Sequence, residues 1–150
     1  MEVKKSRRQN REEVIQVLYR FELFNEKIDA AIAFQEFSFL SNEQVKFIEK
    51  IDNNYDFLKS IIAKFLNQNW AWLRIPPLIK AILINASAEL FTIPPRIVIN
   101  EAVEITKDYF CMTPDDDKYY KFVNAILQNV YKAIVALESN QLKDEKDGSN

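Results

Sequence analysis

Lys4, Lys5, Arg7, Arg8 and Arg11 crowd the first residues of this 150-residue chain, with Glu2 the one acid among them. Arg7 and Arg11 stand one helical turn apart and Arg8 three residues before Arg11, so a helix that begins early gathers the arginines on one flank as a compact cationic ridge. The chemistry of such a ridge is the capture of anions. Its bland alternative is a frayed, solvated chain end whose charges serve solubility, and spacing alone leaves both open. The residues that would support catalysis are missing. There is no His, which removes the commonest general base and metal ligand, and a lone Cys111 can build neither a zinc cluster nor an internal disulfide. We read Cys111 as a small apolar residue near a helix end. The single Gly, Gly148, falls in a polar tail, so glycine loops that cradle phosphates or dinucleotides are excluded. Asp115, Asp116 and Asp117 lack further oxygen ligands at calcium-site spacing and read as a capping loop at the start of the last helix. No metal, cofactor or catalytic residue is expected.

The elements that must position these residues are helical throughout. Val14, Val17, Leu18 and Phe21 follow the basic arm at the spacing of a buried stripe, and a break is expected around Asn25 to Lys27. A shorter helix over Ile28 to Phe37 follows. Ser41 and Gln44 form a capping box that opens a long helix to about Asn67, with Asn53 and Asn54 its weakest point. Trp70, Trp72, Leu73 and Ile75 make an apolar patch, read as core rather than as a base-stacking platform. Pro76 and Pro77 then open a helix to about Phe91, and Pro94 and Pro95 repeat the device. Val98, Ala102, Ile105 and Tyr109 on the next helix face Phe122, Ile126, Leu127, Val130, Ile134 and Leu137 on the last. An antiparallel pair is their simplest packing, and that pair is expected to anchor the fold. Beyond Leu137 the chain is polar and uncored, and residues 138–150 are expected to be disordered. No strand-like alternation and no internal repeat is present.

With 48% hydrophobic residues the chain suits one domain, covering residues 1–137 with the basic arm at 1–11. No apolar run approaches the roughly 20 residues that span a bilayer, and the N-terminus is too polar for a signal peptide, so a soluble, cytoplasmic protein without membrane contact is expected. The net charge of −2 says little about partners, because the charges are unevenly placed. The 13% aromatic content leaves monomer and homodimer both open.

Several stretches together resemble the NusB family of transcription antitermination factors. They are Arg7 to Glu12, Gln16 to Tyr19, Ala81 to Leu83, Glu89 and Leu90, Ile99 to Glu104 (INEAVE) and Lys121 to Leu127 (KFVNAIL). The resemblance spans about Ser6 to Ile134 and implies an all-α fold of about six to seven helices in two small antiparallel bundles, without catalysis. It further implies binding of boxA-type single-stranded RNA in ribosomal transcripts, together with the ribosomal protein NusE and the transcription elongation complex. On that likeness the N-terminal charges become RNA ligands: Arg7, Arg8 and Arg11 match the family's arginine-rich motif, with Gln9 where another arginine is common, and Lys4 and Lys5 extend the field. Guanidinium groups suit RNA because they pair with phosphate through two hydrogen bonds and stack on unpaired bases. Lys121, within KFVN, and Lys118, one turn before Phe122, are candidate further RNA contacts. Tyr19, Leu78 and Ile79 fall where relatives meet NusE. The chain departs from the pattern at Ile84, Ala88 and Ala125, where the family often has arginine, tyrosine and glycine. A second reading, a helical adaptor that docks a protein without binding RNA, fits the acidic balance and the missing arginines at Gln9 and Ile84.

Overall fold

The computed structural model describes residues 4–67 and 70–147, with side chains described to residue 143. Six α-helices appear among them and no strand: α1 Arg7–Leu23, α2 Ala30–Glu36, α3 Asn42–Ala63, α4 Pro77–Glu89, α5 Pro95–Tyr109 and α6 Asp117–Asp147. Short 3-10 turns at Trp72–Arg74 and Pro114–Asp116 lead into α4 and α6.

Local chemistry sets the boundaries. The Ser6 hydroxyl accepts from the Gln9 amide to start α1, and Asn25, at φ 52°, adopts the left-handed conformation just past its end. Asp29 caps α2 through the Ala31 and Ile32 amides. Ser41 and Gln44 form the expected capping box on α3. Prolines at the first turns of α4 and α5 supply φ where no intrahelical N–H is needed.

The centre of the molecule is α4 rather than the expected pair of closing helices. It packs against α1, α3, α5 and α6, and every residue from Ala81 to Leu90 is buried, so the helix is covered on all sides. The run ILINASA has no charged face to give to water, which is why it takes this place. The helices α5 and α6 do form an antiparallel pair, since Lys107 meets Tyr120 while Arg96 and Asn100 border a groove with Gln128 and Tyr131. The helices α1 and α4 are also antiparallel: Arg11 pairs with Glu89, and Glu22 lies in the field of Lys80. One contiguous core joins α1–α3 on one side and α5–α6 on the other through the shared α4.

Two boundaries differ from expectation. The long helix α3 ends at Ala63, four residues early. At the other end, where a disordered tail was expected from residue 138, α6 runs on to Asp147. Its last buried residue among the described side chains is Ile134, yet no glycine or proline interrupts the chain before Gly148, and extending an existing helix costs little. Residues 148–150 lie outside the described residues. Cys111 is exposed in the loop between α5 and α6 rather than apolar packing. In that loop the Asp116 carboxylate accepts from the Met112 and Thr113 amides, which hold its pKa below the usual range, as a capping reading requires.

Candidate nucleic-acid interface

The N-terminal cations divide into free and anchored groups. Lys5 is anchored. Its ammonium pairs with Glu13 at 2.6 Å, donates to the Gln44 side-chain oxygen at 3.0 Å and to the Phe39 carbonyl, and lies 5.8 Å from the Phe39 ring centroid. Burial raises the Glu13 carboxyl, but bonds from Lys5, Gln44 and Gln9 outweigh it and leave the group below its ordinary pKa. Gln44 also donates to the Asn10 carbonyl, so the start of α3 is strapped to the start of α1.

Arg11 is anchored more deeply. Its Nε reaches both Glu89 oxygens at 3.0 Å, and the side chains are only 10% and 7% exposed. Asn85 donates to the same Glu89 oxygen at 3.0 Å. Burial nonetheless holds the Glu89 carboxyl above its usual pKa, against the pull of Arg11 and Asn85. Arg11 therefore serves first to neutralise a buried acid of the central helix, because the α1 stripe carries position 11 inward beside Val14 and Leu18.

Arg8 is half-exposed and faces α5, with Nε 2.7 Å from Glu101 and a terminal nitrogen 4.0 Å from Asp108. The Glu101 bond raises its pKa further, so it is cationic at every physiological pH. Lys4 and Arg7 are exposed and have no ion-pair partner among the described residues. Of the five basic residues, these two present charge to solvent without competition.

The second cationic set starts where Arg8 leaves off. Lys107, one residue before Asp108 on the last turn of α5, lies 4.7 Å from the Tyr120 ring centroid, and Lys121 lies 6.0 Å from the same ring. Lys118 is exposed, 5.2 Å from the Tyr119 centroid. Tyr119 itself packs on Phe110 and meets the edge of Trp70, whose face stacks on Phe122 at 4.8 Å and 25°. The aromatic patch is thus half-buried packing between the α3–α4 connection and α6. Sequence reasoning missed Lys107 and Tyr120, because only the antiparallel pairing of α5 with α6 brings them together.

The partner-facing expectations divide as well. Tyr19 and Leu78 are partly buried and border the surface where the end of α1 meets the start of α4, whereas Ile79 is fully buried. Ile79 is corrected to core: it precedes Ile82, Leu83 and Ala86 at helical spacing on the inward side of α4. Exposed apolar side chains stand near this end instead, with Leu23 and Phe24 at the close of α1 and Leu73, 90% exposed, ahead of α4. Leu23 and Phe24 fall off the buried stripe of α1, a signal the pattern carried but which was not used.

The NusB family profile matches residues 8–132. Among curated proteins, the transcription antitermination protein NusB of Fusobacterium nucleatum is 38% identical over 100 residues, covering 63% of this chain and 61% of that protein. Its counterpart from Chloroherpeton thalassium is 35% identical, covering 86% of this chain and 63% of the relative, and that of Methylacidiphilum infernorum is 34% identical, covering 85% and 91%. The chain thus spans less than two thirds of the first two relatives and nearly all of the third. Among solved structures, T. maritima NusB superposes with a TM-score of 0.71 at 26% identity, covering 87% of this chain and 93% of that one. A chain from the crystal structure of a plectonemic RNA supercoil gives 0.65 at 26% identity, covering 86% and 96%.

Proposed function

The chain belongs to the NusB family, and from that premise we propose that it is a cytoplasmic transcription antitermination factor, a single domain over residues 1–137 without catalytic activity. In this reading it binds boxA-type single-stranded RNA of ribosomal transcripts and joins the ribosomal protein NusE on the elongation complex. The observation that carries the RNA reading is the state of the arm. Lys4 and Arg7 are exposed, with no ion-pair partner among the described residues, on a helix start that is capped by Ser6 and strapped down by Lys5 and Arg11. Charges held in place lose little freedom when a phosphate arrives. Arg8 carries the arm to the last turn of α5, and Lys107, Lys118 and Lys121 continue it onto α6 beside Tyr119 and Tyr120. That is the pairing of backbone charge with aromatic faces that suits an unpaired strand. The likeness to a chain from an RNA supercoil structure supports RNA as the class of ligand. For NusE, the supporting feature is the apolar surface at Tyr19, Leu23, Phe24, Leu73 and Leu78.

The test is binding of a short boxA-like oligonucleotide against a scrambled control across a salt series, with and without NusE. Sequence-dependent binding that weakens steeply with salt and strengthens with NusE is expected. Equal binding of both oligonucleotides, or none, would overturn the RNA assignment. It would leave the protein-docking adaptor, which the internal commitment of Lys5 and Arg11 favours.

A further inference from the structure

Where the end of α1 meets α3 and the start of α4, two ammonium groups share one aromatic ring. Lys59 of α3 places its Nζ 5.6 Å from the Trp72 ring centroid, and Lys80 of α4 places its own 5.4 Å from the same centroid. The electron-rich face of a ring attracts a cation but carries no net charge, so the pair is positioned without being neutralised. All three residues are partly buried, and neither lysine has an ion-pair partner among the described residues. Glu22 and Asp56 do not discharge them. Glu22 attracts Lys80 from a distance, but its carboxylate already accepts from the Tyr55 hydroxyl, and Asp56, three residues before Lys59, makes no ion pair with it. Burial, with a lesser push from Lys59, keeps the Lys80 ammonium below its usual pKa against that attraction. Arg74, on the same 3-10 turn as Trp72, adds a third cation without an ion-pair partner among the described residues. Around these charges the surface is apolar: Leu73, next to Trp72, and Leu23 and Phe24, next to Glu22, are all exposed.

We propose that this cluster is the polar centre of the protein-docking face, and that the partner protein seats the side-chain carboxylate of one Asp or Glu between Lys59 and Lys80, with apolar residues of its own against Leu73, Leu23 and Phe24. Two like charges in a partly desolvated place are costly to hold, and an anion set between them turns repulsion into attraction. The apolar rim selects the source of the anion. A nucleic-acid backbone brings phosphates with no aliphatic side chains to cover exposed leucines, whereas a protein surface brings a few charged groups within an apolar contact. Position argues the same way, because Glu22 lies fifteen residues along α1 from Arg7, or roughly 22 Å at about 1.5 Å per residue. The assignment rests on the reading that a ribosomal protein docks at Tyr19 and Leu78, and it adds the sign of the charge that the partner brings there. The same lysines reject a partner that places a basic residue at that point.

The experiment titrates the full chain with NusE and, separately, with the boxA-like oligonucleotide, and melts each variant. Lys59→Gln combined with Lys80→Gln keeps most of both side chains and removes both charges. Its affinity for NusE is expected to fall about tenfold, the scale of two partly exposed ion pairs, and the gap from the parent should narrow at high salt. RNA affinity should stay within about twofold, and the melting temperature should hold or rise, because the repulsion between the ammoniums is gone. Lys59→Glu combined with Lys80→Glu is then set against NusE variants in which each Asp and Glu in turn becomes Lys. One of these is expected to bind the parent poorly and the reversed chain well. Unchanged NusE affinity in the double glutamine variant would overturn the proposal and leave the docking face standing; a lower melting temperature beside it would make the lysines part of the fold. A loss of NusE affinity that no reversed NusE variant restores would overturn the carboxylate. Weaker RNA binding with NusE binding intact would overturn it in favour of a phosphate. A parent chain that does not bind NusE would overturn the docking reading and this assignment together.

Discussion

At the scale of single residues, neighbours of one chemical type have unlike tasks. Arg7 offers its charge outward, whereas Arg11, four residues on, neutralises an acid in the core. Replacing Lys4 and Arg7 together by Ala should therefore weaken RNA binding with thermal stability nearly unchanged. It should also flatten the salt dependence by about 1.4 in log–log slope, from two phosphates at about 0.7 each on a single strand. Arg11→Ala should behave otherwise, because it strands the Glu89 carboxylate; a loss of about 3–5 kcal/mol is expected in denaturant unfolding. Equal stability of the two variants would contradict the division. The carboxyls carry opposite pH signatures. Glu13, held below its ordinary pKa, contributes stability that is present above the ordinary carboxylate value and lost as pH falls through its lowered one. Glu89, held above its ordinary pKa, contributes stability that is complete below the ordinary value and lost as pH rises through the raised one. Unfolding of Glu13→Gln measured from neutral pH into acid should accordingly show a shallower acid limb than the parent; an identical limb would show that Glu13 does not carry it.

At the scale of elements, the sequence stated its helices in a local code and their arrangement only in part. The capping box at Ser41, the prolines before α4 and α5, and the 3.6-residue stripe at Val14 to Phe21 are signals within a few residues of one another, and each element stands where its signal places it. What was not legible depended on contacts far along the chain. Nothing near Arg11 announces Glu89, and nothing near Lys107 announces Tyr120. That α4 is enclosed on every side was written in its uniform apolarity, yet the closing pair was expected to anchor the fold because amphipathic helices are the commoner case. The extension of α6 was obscured because polar composition argues against a core and not against a helix. Ending the chain at Leu137 should consequently remove helical signal from circular dichroism while shifting stability by less than about 0.5 kcal/mol, since residues 138–143 are exposed. A larger loss would mean that residues 138–147 pack against something.

At the scale of the molecule, α1 carries both proposed faces, the cationic start and the apolar surface at Tyr19, on one rigid rod. Arg7 and Tyr19 are twelve residues apart, or ~18 Å at ~1.5 Å per residue. That exceeds the screening length of ~8 Å at physiological salt, so the two faces do not sense each other's charge. Leu78→Glu should reduce NusE binding, measured by calorimetry, and leave affinity for RNA alone unchanged within about twofold; a parallel fall in both would show that the faces are coupled. The pairs that anchor the arm reach a long way forward, since Arg11 meets an acid 78 residues later and Arg8 one 93 residues later. This gives the molecule an order of assembly in time. The cationic arm leaves the ribosome before the acids that hold it, so its fixed geometry waits until α4 and the start of α5 have been synthesised. A nascent chain that stops short of Glu89 and Glu101 carries the charges of the arm without their placement, and under the proposed function it would attract RNA without discriminating among sequences.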